Sequence, residues 1–316
     1  MEYEVLELAT EEECDSSTVS KRSRNSPPSR TANDQLLFGT MCVLNHNTVF
    51  ELHSVAIKCK TVKCLASEEK FLSLGCPHLD SVLRGGFVNR GITQIYGAAG
   101  TGKTQIALQL CLTVQLPIVH GGYEAGAVYI STEGAFPSRR LQELLRESNL
   151  TKKFNVTADI IFVTKIHGEN TIQELENCIV QKIPHLMATR KIGLLILDSI
   201  AAPYRAGYSL NTFGDRAKSL WNIANQLHNL ASQYKLTVIC INQVSAAISF
   251  NNSEAIHPTE QPTLGITWAN MITNNFYLCR IGDCRYLYTM QSSYLPRTHI
   301  EYRITGSGVS GVCKNK

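Results

Sequence analysis

Residues 92–104 read Ile-Thr-Gln-Ile-Tyr-Gly-Ala-Ala-Gly-Thr-Gly-Lys-Thr, and they are the strongest indication of the fold. Its second half has the spacing GxxxxGK[ST], in which glycines let backbone N–H groups turn inward around a polyphosphate. Such a loop requires a strand before it and a helix after it. Both are predicted here, because residues 92–96 are largely apolar and residues 103–116 repeat apolar positions at helical spacing. A glycine-rich turn that matches by chance would lack this context, so we predict a phosphate-binding loop.

The loop also indicates the chemistry of its ligand. Lys103 is expected to reach the terminal phosphates as a point charge. The hydroxyl of Thr104 is expected to bind a magnesium ion carried by the nucleotide. The N-terminus of the following helix adds the positive end of its dipole. The predicted ligand is therefore a nucleoside triphosphate.

Three polar residues end predicted strands and are candidates for the same site. Asp198 closes an apolar run and is predicted to hold Mg²⁺ opposite Thr104, although an aspartate that caps the next turn is the alternative. Glu133 is predicted to orient or deprotonate the water that attacks the γ-phosphate, but exposed acids at strand ends are common. Gln243 could sense the γ-phosphate, or its amide could be satisfied by neighbouring backbone, and the residues alone do not rank these two roles.

Alternating strands and helices from about residue 71 predict an α/β fold with a mostly parallel central sheet flanked by helices. The predicted strands are 92–96, 127–131, 160–164, 193–198 and 236–241. The predicted helices are 103–116, 137–148, 171–183 and 215–234. Strand-like runs at 272–281, 285–290 and 298–304 predict an antiparallel extension of this sheet at the C-terminal end.

Composition divides the 316 residues into three parts. Residues 1–32 are acidic and then rich in Ser, Arg and Pro, so we expect a disordered tail. Residues 33–70 have no clean period and form either a small module or a linker. Residues 71–316 are the predicted core.

Charge and cysteine usage indicate the compartment. The chain has no run of about 18 apolar residues, which is the length that a membrane helix needs, so a soluble intracellular protein is expected. Eleven cysteines are scattered without a CxxC pair, which predicts reduced thiols and no zinc site. A net charge of +4 permits binding to nucleic acid without requiring it.

The order of the motifs resembles that of a RecA-type recombinase core. The motifs are Leu-Gly-Cys-Pro-His-Leu-Asp at 74–80, the phosphate loop, Tyr-Ile-Ser-Thr-Glu-Gly at 129–134, Leu-Asp-Ser-Ile at 197–200, and Ile-Asn-Gln-Val at 241–244. The resemblance covers about residues 71–313 and is closest to the eukaryotic recombinase paralogues. It implies an ATP-binding protein of homologous recombination and double-strand break repair, located in the nucleus and also in the cytoplasm.

The resemblance assigns roles by position. Asp198 corresponds to the magnesium-associated aspartate, Glu133 to the catalytic glutamate and Gln243 to a switch between nucleotide and DNA. Arg140 corresponds to a residue whose guanidinium covers the adenine. The residues that correspond to the family's nucleotide loop are Gly97, Ala98, Ala99, Gly100, Thr101, Gly102, Lys103 and Thr104. The implied cofactors are ATP and Mg²⁺, and the implied activity is a weak DNA-dependent ATPase.

DNA contacts are expected near residues 205–217 and 245–264, where the family has its two DNA loops. No Lys or Arg occurs from Val244 to Cys279, and affinity for DNA comes largely from such cations, so the second loop is expected to bind weakly.

The individual candidates for DNA contact lie in both loops. Arg205, Arg216 and Lys218 are candidate phosphate contacts around the first loop, and a basic solvated face is their alternative role. Phe250 in the second loop is a candidate stacking residue.

Three functions remain open from the sequence. One is a repair mediator that binds single-stranded and branched DNA with modest affinity and pairs with a C-type recombinase paralogue, and possibly with the central recombinase. A second is a strand-exchange ATPase that polymerises by itself. A third, from another class, is a small-molecule kinase built on a phosphate loop.

Overall fold

The structure is a computed structural model that describes residues 69–206, 213–246 and 260–313. The predicted tail at 1–32, and nearly all of the segment at 33–70, lie outside these residues. Phe250 and parts of both predicted DNA loops also lie outside them. The described residues belong to one compact unit, Leu65–Lys316.

The strands alternate with helices along the chain, as the apolar pattern predicts. The strands are β1 Phe71–Leu72, β2 Phe87–Val88, β3 Ile92–Tyr96, β4 Gly126–Ser131, β5 Ile161–Lys165, β6 Ile192–Asp198, β7 Thr237–Asn242, β8 Val244–Ala246, β9 Glu260–Pro262, β10 Asn274–Ile281, β11 Cys284–Gln291, β12 His299–Thr305 and β13 Gly308–Gly311. The α-helices are α1 Pro77–Val82, α2 Lys103–Thr113, α3 Ser138–Glu147, α4 Asn149–Phe154, α5 Thr171–Asn177, α6 Ile183–Thr189, α7 Ala201–Ala206, α8 Phe213–Tyr234 and α9 Gly265–Ala269.

Among the described residues, nine strands form the central sheet, in the order β13-β12-β11-β10-β3-β7-β6-β4-β5. Neighbours from β5 to β10 pair in parallel, and β10, β11, β12 and β13 pair in antiparallel fashion. This confirms a mostly parallel sheet with an antiparallel C-terminal extension. The first strand of this extension, β10, is antiparallel to β11 but joins the rest of the sheet in parallel, through pairs such as Asn274 with Thr93 on β3.

Two apolar layers cover the sheet, which explains why its inner strands are apolar at nearly every position. Alternate residues of β6 point to opposite faces. Leu194 and Ile196 pack against α2 and α3, whereas Leu195 and Leu197 pack against α5, α6 and α8. Burying these strands on both faces is the main favourable contribution to the fold.

The predicted helix at 171–183 is interrupted. It consists of α5, a π-helical turn at Cys178–Lys182, and α6, which carries Pro184 in its first turn. Proline lacks the N–H that a continuous α-helix would use there, so the hydrogen-bond pattern changes before it.

Three further observations concern the described part of the chain alone. Its seven cysteines are free thiols. It contains no group of three or more His, Cys, Asp or Glu side chains arranged to hold a metal ion. No helix in it has both the length and the apolar character needed to cross a membrane.

Candidate functional site

The parallel sheet brings the predicted site residues to one edge. The phosphate loop follows β3, Glu133 follows β4, Asp198 ends β6 and Gln243 follows β7. Carboxyl ends of parallel strands lie along the same edge of a sheet, where ligands of open α/β folds bind. Residues that are far apart in the chain therefore meet around the loop.

The phosphate loop has a backbone that requires glycine at two positions. Gly97 has φ +153°, and a Cβ atom there would lie 2.1 Å from the carbonyl oxygen of Leu278 on β10. Gly102 has φ +107° at the N-terminus of α2, and a Cβ atom there would lie 2.6 Å from the side chain of Ile304. The turn therefore needs residues without side chains, as the sequence predicted.

Lys103 begins α2 and points its ammonium group back across the loop. Its Nζ donates to the carbonyl oxygens of Gly97 at 2.6 Å and Ala98 at 2.8 Å. Burial lowers the pKa of Lys103, and the carboxylates of Asp198 and Glu133 oppose this shift. The cation is therefore held at the loop by neutral carbonyl groups, which anionic phosphate oxygens could replace.

Thr104 and Asp198 form the pair that was predicted to hold magnesium. The Thr104 hydroxyl donates to Asp198 Oδ2 at 2.9 Å, and the Tyr129 hydroxyl on β4 donates to the same oxygen at 2.5 Å. Burial raises the pKa of Asp198, while the hydrogen bonds from Tyr129 and Thr104 counteract the rise. The two donors thus keep a half-buried carboxylate oriented beside the loop.

Glu133 receives several donors on one carboxylate oxygen. Ser199 Oγ and Gln243 Nε2 both donate to Glu133 Oε1. The guanidinium of Arg205 lies farther off, with its Nη2 at 3.8 Å from the same oxygen. The ends of β4, β6 and β7, together with α7, therefore converge on this side chain.

Thr132 stabilises the same junction. Its hydroxyl donates to the Ser199 carbonyl at 2.6 Å and accepts from the Ser199 N–H at 2.9 Å. Ser199 is 1% exposed, so its position beside Glu133 is set by buried backbone contacts.

A cavity of about 970 Å³ is lined by Lys103, Thr104, Glu133, Asp198 and Gln243. That volume lies within the range of roughly 300–1,000 Å³ that is usual for pockets that bind small molecules and cofactors. The wall of this cavity also includes Arg140 and Arg285, together with the turn between β12 and β13. The cavity brings the predicted phosphate loop, the carboxylates of Glu133, Glu143 and Asp198, and several cations around one space.

Arg140 lies in this wall, where the resemblance implied a contact with the adenine. Its Nε donates to Gln105 Oε1 at 2.7 Å, and its Nη atoms donate to the carbonyls of Thr305 at 2.5 Å and Gly306 at 3.1 Å. These bonds hold the guanidinium plane against the β12–β13 turn. The stacking role stays a prediction.

Thr101 is the one loop residue that does not line the cavity. Its side chain is 2% exposed, its hydroxyl donates to the Ala98 carbonyl at 2.9 Å, and its own carbonyl accepts from the Tyr302 hydroxyl. Thr101 therefore shapes the loop from within, and only its backbone remains a candidate for contact with a ligand.

The predicted DNA contacts are separated in the structure. Arg205 lies in the cavity beside Glu133, rather than on a separate basic face. Arg216 is half-buried, and its Nε has no hydrogen-bond partner among the described residues, whereas Lys218 is exposed on α8. Phe250 lies outside the described residues.

Sequence reasoning missed several side chains of the site, among them Tyr129 and Arg285. Tyr129 carried a signal in principle, because the hydroxyl of a tyrosine in a buried strand needs a hydrogen-bond partner. Arg285 carried no such signal, since its place in the cavity wall depends on how β11 pairs with β10, far along the chain from the phosphate loop.

The residues present fit a nucleoside triphosphate with Mg²⁺. The loop supplies a tight backbone turn and an ammonium group, and its glycines leave no side chain to fill the cradle. Thr104 and Asp198 supply hydroxyl and carboxylate oxygens 2.9 Å apart, and oxygen atoms are the ligands that Mg²⁺ prefers.

We expect Asp198→Asn to raise the stability of the protein without nucleotide at neutral pH. Burial raises the pKa of Asp198 in the folded state, so the protonated carboxyl group is the form that the fold favours. Its stabilising contribution is fully present below the unfolded pKa of 3.8 and is lost as pH rises through the folded pKa. Asparagine removes the buried charge, and a gain of about 1 kcal/mol would raise Tm by about 2–4 °C. Thermal unfolding at several pH values measures this difference, which should shrink toward pH 3.8.

The matched control is Asp159→Asn, because Asp159 is exposed. Its Tm should stay close to that of the wild type at every pH. A neutral-pH Tm for Asp198→Asn that equals or falls below the wild-type value would show that the buried charge is not destabilising.

Comparison with known proteins identifies similar chains. A protein family described as Rad51 matches residues 67–312. The DNA repair protein XRCC3 of Bos taurus is 39% identical over 254 residues, which cover 76% of this chain and 74% of that protein. The XRCC3 homolog of Arabidopsis thaliana is 30% identical over 283 residues, covering 76% and 93%. The DNA repair protein rhp57 of Schizosaccharomyces pombe is 31% identical over 269 residues, covering 73% and 75%.

Proposed function

This chain belongs to the Rad51 family, and from that premise we propose that it is an ATP-dependent mediator of homologous recombination that works together with another recombinase paralogue. Its role as a Rad51 paralogue in DNA repair by homologous recombination follows from its relatives. That role is nuclear. The predicted resemblance to the recombinase paralogues is confirmed by the same relatives.

The observation that carries the proposal is the convergence of Lys103, the Thr104–Asp198 pair and Glu133 on one cavity. Proteins of this family bind ATP. In this chain MgATP would supply a γ-phosphoryl group whose transfer needs positioning and charge stabilisation more than covalent help from the protein.

Each residue has a proposed part in that chemistry. Lys103 would bind the β- and γ-phosphates, and Thr104 with Asp198 would hold Mg²⁺. Glu133 would orient a water molecule and accept its proton. Gln243 touches Glu133 and leads directly into β8, so it is positioned to couple the nucleotide to the segment that follows.

Single-stranded and branched DNA are the proposed nucleic-acid ligands, bound with modest affinity. The second predicted DNA loop contains no Lys or Arg, which limits its electrostatic contribution. A C-type recombinase paralogue, and possibly the central recombinase, are the proposed protein partners. Nucleotide would then act mainly as a conformational ligand that favours one assembly over another.

Electron microscopy of the purified protein with single-stranded DNA and ATP tests the mediator proposal. We expect no regular filaments from this chain alone. Long regular filaments in the absence of a partner would contradict the proposal and favour a self-polymerising recombinase. Affinity purification from nuclei, with and without ATP, would identify the partner.

We expect Arg216→Ala with Lys218→Ala to weaken the salt dependence of binding to a single-stranded oligonucleotide. Each lost phosphate contact on a single strand lowers the slope of log K against log salt by roughly 0.7, so the pair should lower it by about 1.4. Fluorescence anisotropy at several salt concentrations measures the slope.

The matched control removes Arg146 and Lys152, which are exposed cations on α3 and α4. This variant should keep the wild-type slope. An equal change of slope in both double variants would mean that the net charge of the protein sets the salt dependence, rather than contacts made by Arg216 and Lys218.

A further inference from the structure

Glu133 has two partners in addition to Gln243. One of them, Ser199, is held firmly in place, and the other, Arg205, is not. Ser199 is fixed, because it is 1% exposed and its backbone is held by Thr132. Arg205 is loose, because its side chain is 58% exposed, the Glu133 side chain is 40% exposed, and the closest nitrogen–oxygen distance is 3.8 Å. An exposed ion pair with this separation is weak and is readily exchanged for another partner.

Arg205 differs in this respect from two other cations of the cavity. Lys103 donates to two loop carbonyls, and Arg140 donates to Gln105 and to the β12–β13 turn. Both are thus tied to neighbouring groups by short hydrogen bonds. The Arg205 guanidinium contacts Glu133 at the longer distance of 3.8 Å, so its charge is the easiest of the three to redirect.

The location of Arg205 determines what could attract it. It lies in the last turn of α7 and also in the wall of the cavity that holds the phosphate loop. A phosphate oxygen would be a stronger partner than the distant carboxylate, because guanidinium and phosphate form short, often bidentate, charge-assisted hydrogen bonds. Such an oxygen could come from a nucleic-acid backbone or from the γ-phosphate of a nucleotide.

We infer that Arg205 is an exchangeable counter-ion, which neutralises Glu133 until a phosphate oxygen draws the guanidinium away and leaves the carboxylate held by Ser199 and Gln243. Arg205 is thus a positioning residue that acts through Glu133. The role of Glu133 as a base rests on the function proposed above, but the exchange itself does not. Binding of phosphate and release of Glu133 are linked, and such coupling is reciprocal.

Because the coupling is reciprocal, the exchange can be measured by binding alone, without an assay of ATP hydrolysis. Glu133→Gln keeps the shape of the side chain and removes its charge, so it should free Arg205 in advance and tighten phosphate binding by about two- to five-fold, the range expected for losing one exposed ion pair. In an Arg205→Ala background the same change should have an effect of less than about 1.5-fold. Arg205→Lys should restore part of the coupling.

Two probes distinguish the sources of the phosphate. One arm measures the affinity for an oligothymidylate without nucleotide, and the other compares ATPγS with ADP without DNA. Coupling in the first arm identifies a phosphodiester, and coupling to ATPγS but not to ADP identifies the γ-phosphate. The matched control is Arg146→Ala, an exposed arginine paired with Glu147 at 3.5 Å, which should combine additively with Glu133→Gln.

Either form of coupling supports the exchange, and additive effects of Glu133→Gln and Arg205→Ala in both arms overturn it. Failure of the wild-type protein to bind ATPγS would instead contradict the proposed nucleotide site, and the oligothymidylate arm would still decide the role of Arg205. Absence of binding in both arms overturns the inference. Melting temperatures confirm that each variant is folded.

Discussion

Lys103→Ala is expected to weaken ATP binding by at least about 100-fold, because hydrogen bonds to charged groups contribute roughly 1.5–3 kcal/mol each and the ammonium group would lose more than one. Lys103 is placed for this role, since its Nζ already lies 2.6 Å and 2.8 Å from loop carbonyls at the cavity. Isothermal titration with ATPγS and Mg²⁺ measures the change.

The control for this prediction is Lys152→Ala, which removes an exposed lysine from α4. Its nucleotide affinity should equal that of the wild type. Lys103→Ala should also be compared by thermal unfolding, because the carbonyls of Gly97 and Ala98 lose their donor. A folded Lys103→Ala protein with unchanged affinity would refute the proposed site.

Glu133→Gln is expected to slow ATP hydrolysis by roughly 10²- to 10⁴-fold, the usual contribution of a positioned general base. Glutamine can still accept a hydrogen bond from Ser199, so the local structure should survive, but it cannot take a proton from water. ATP affinity should change only a few-fold. Single-turnover hydrolysis, measured alongside titration with ATPγS, separates the two effects.

Glu174→Gln, an exposed acid on α5, is the matched control and should hydrolyse ATP at the wild-type rate. A Glu133→Gln protein that retains this rate would remove Glu133 from the role of base. Equal loss of binding and hydrolysis would instead show that the Glu133 side chain contributes to nucleotide binding rather than to positioning the attacking water.

The predicted site residues that the structure brings to one edge of the sheet can be recognised from local residue types. The loop from Gly97 to Thr104 needs glycines at set positions, and the buried strand before Asp198 needs consecutive apolar residues, so both are visible in a short window. Parallel strands then place their carboxyl ends along one edge. This is why Glu133, Asp198 and Gln243 were expected along one edge, although the residues alone left the role of Gln243 open.

Other features depend on contacts that a short window does not contain. Whether Thr101 faces the cavity depends on Tyr302, whose hydroxyl comes from β12. The strand β10 begins the antiparallel extension as predicted, but its parallel pairing with β3 was not predictable, because a short window does not show which strands pair. The position of Arg205 beside Glu133 was likewise invisible, since α7 had to be placed against the end of β4.

By itself the amino-acid sequence determined the family, the α/β class and the phosphate loop of this protein, because each is encoded by residue types at fixed spacing along contiguous chain. Only the tertiary structure decided which donors surround the carboxylate of Glu133. Those partners, Ser199 and Gln243, lie 66 and 110 residues away, and they meet it only because β4, β6 and β7 end together. Spacing along the chain specifies local backbone geometry, whereas the charge balance of a site depends on which distant groups packing brings within a few ångströms.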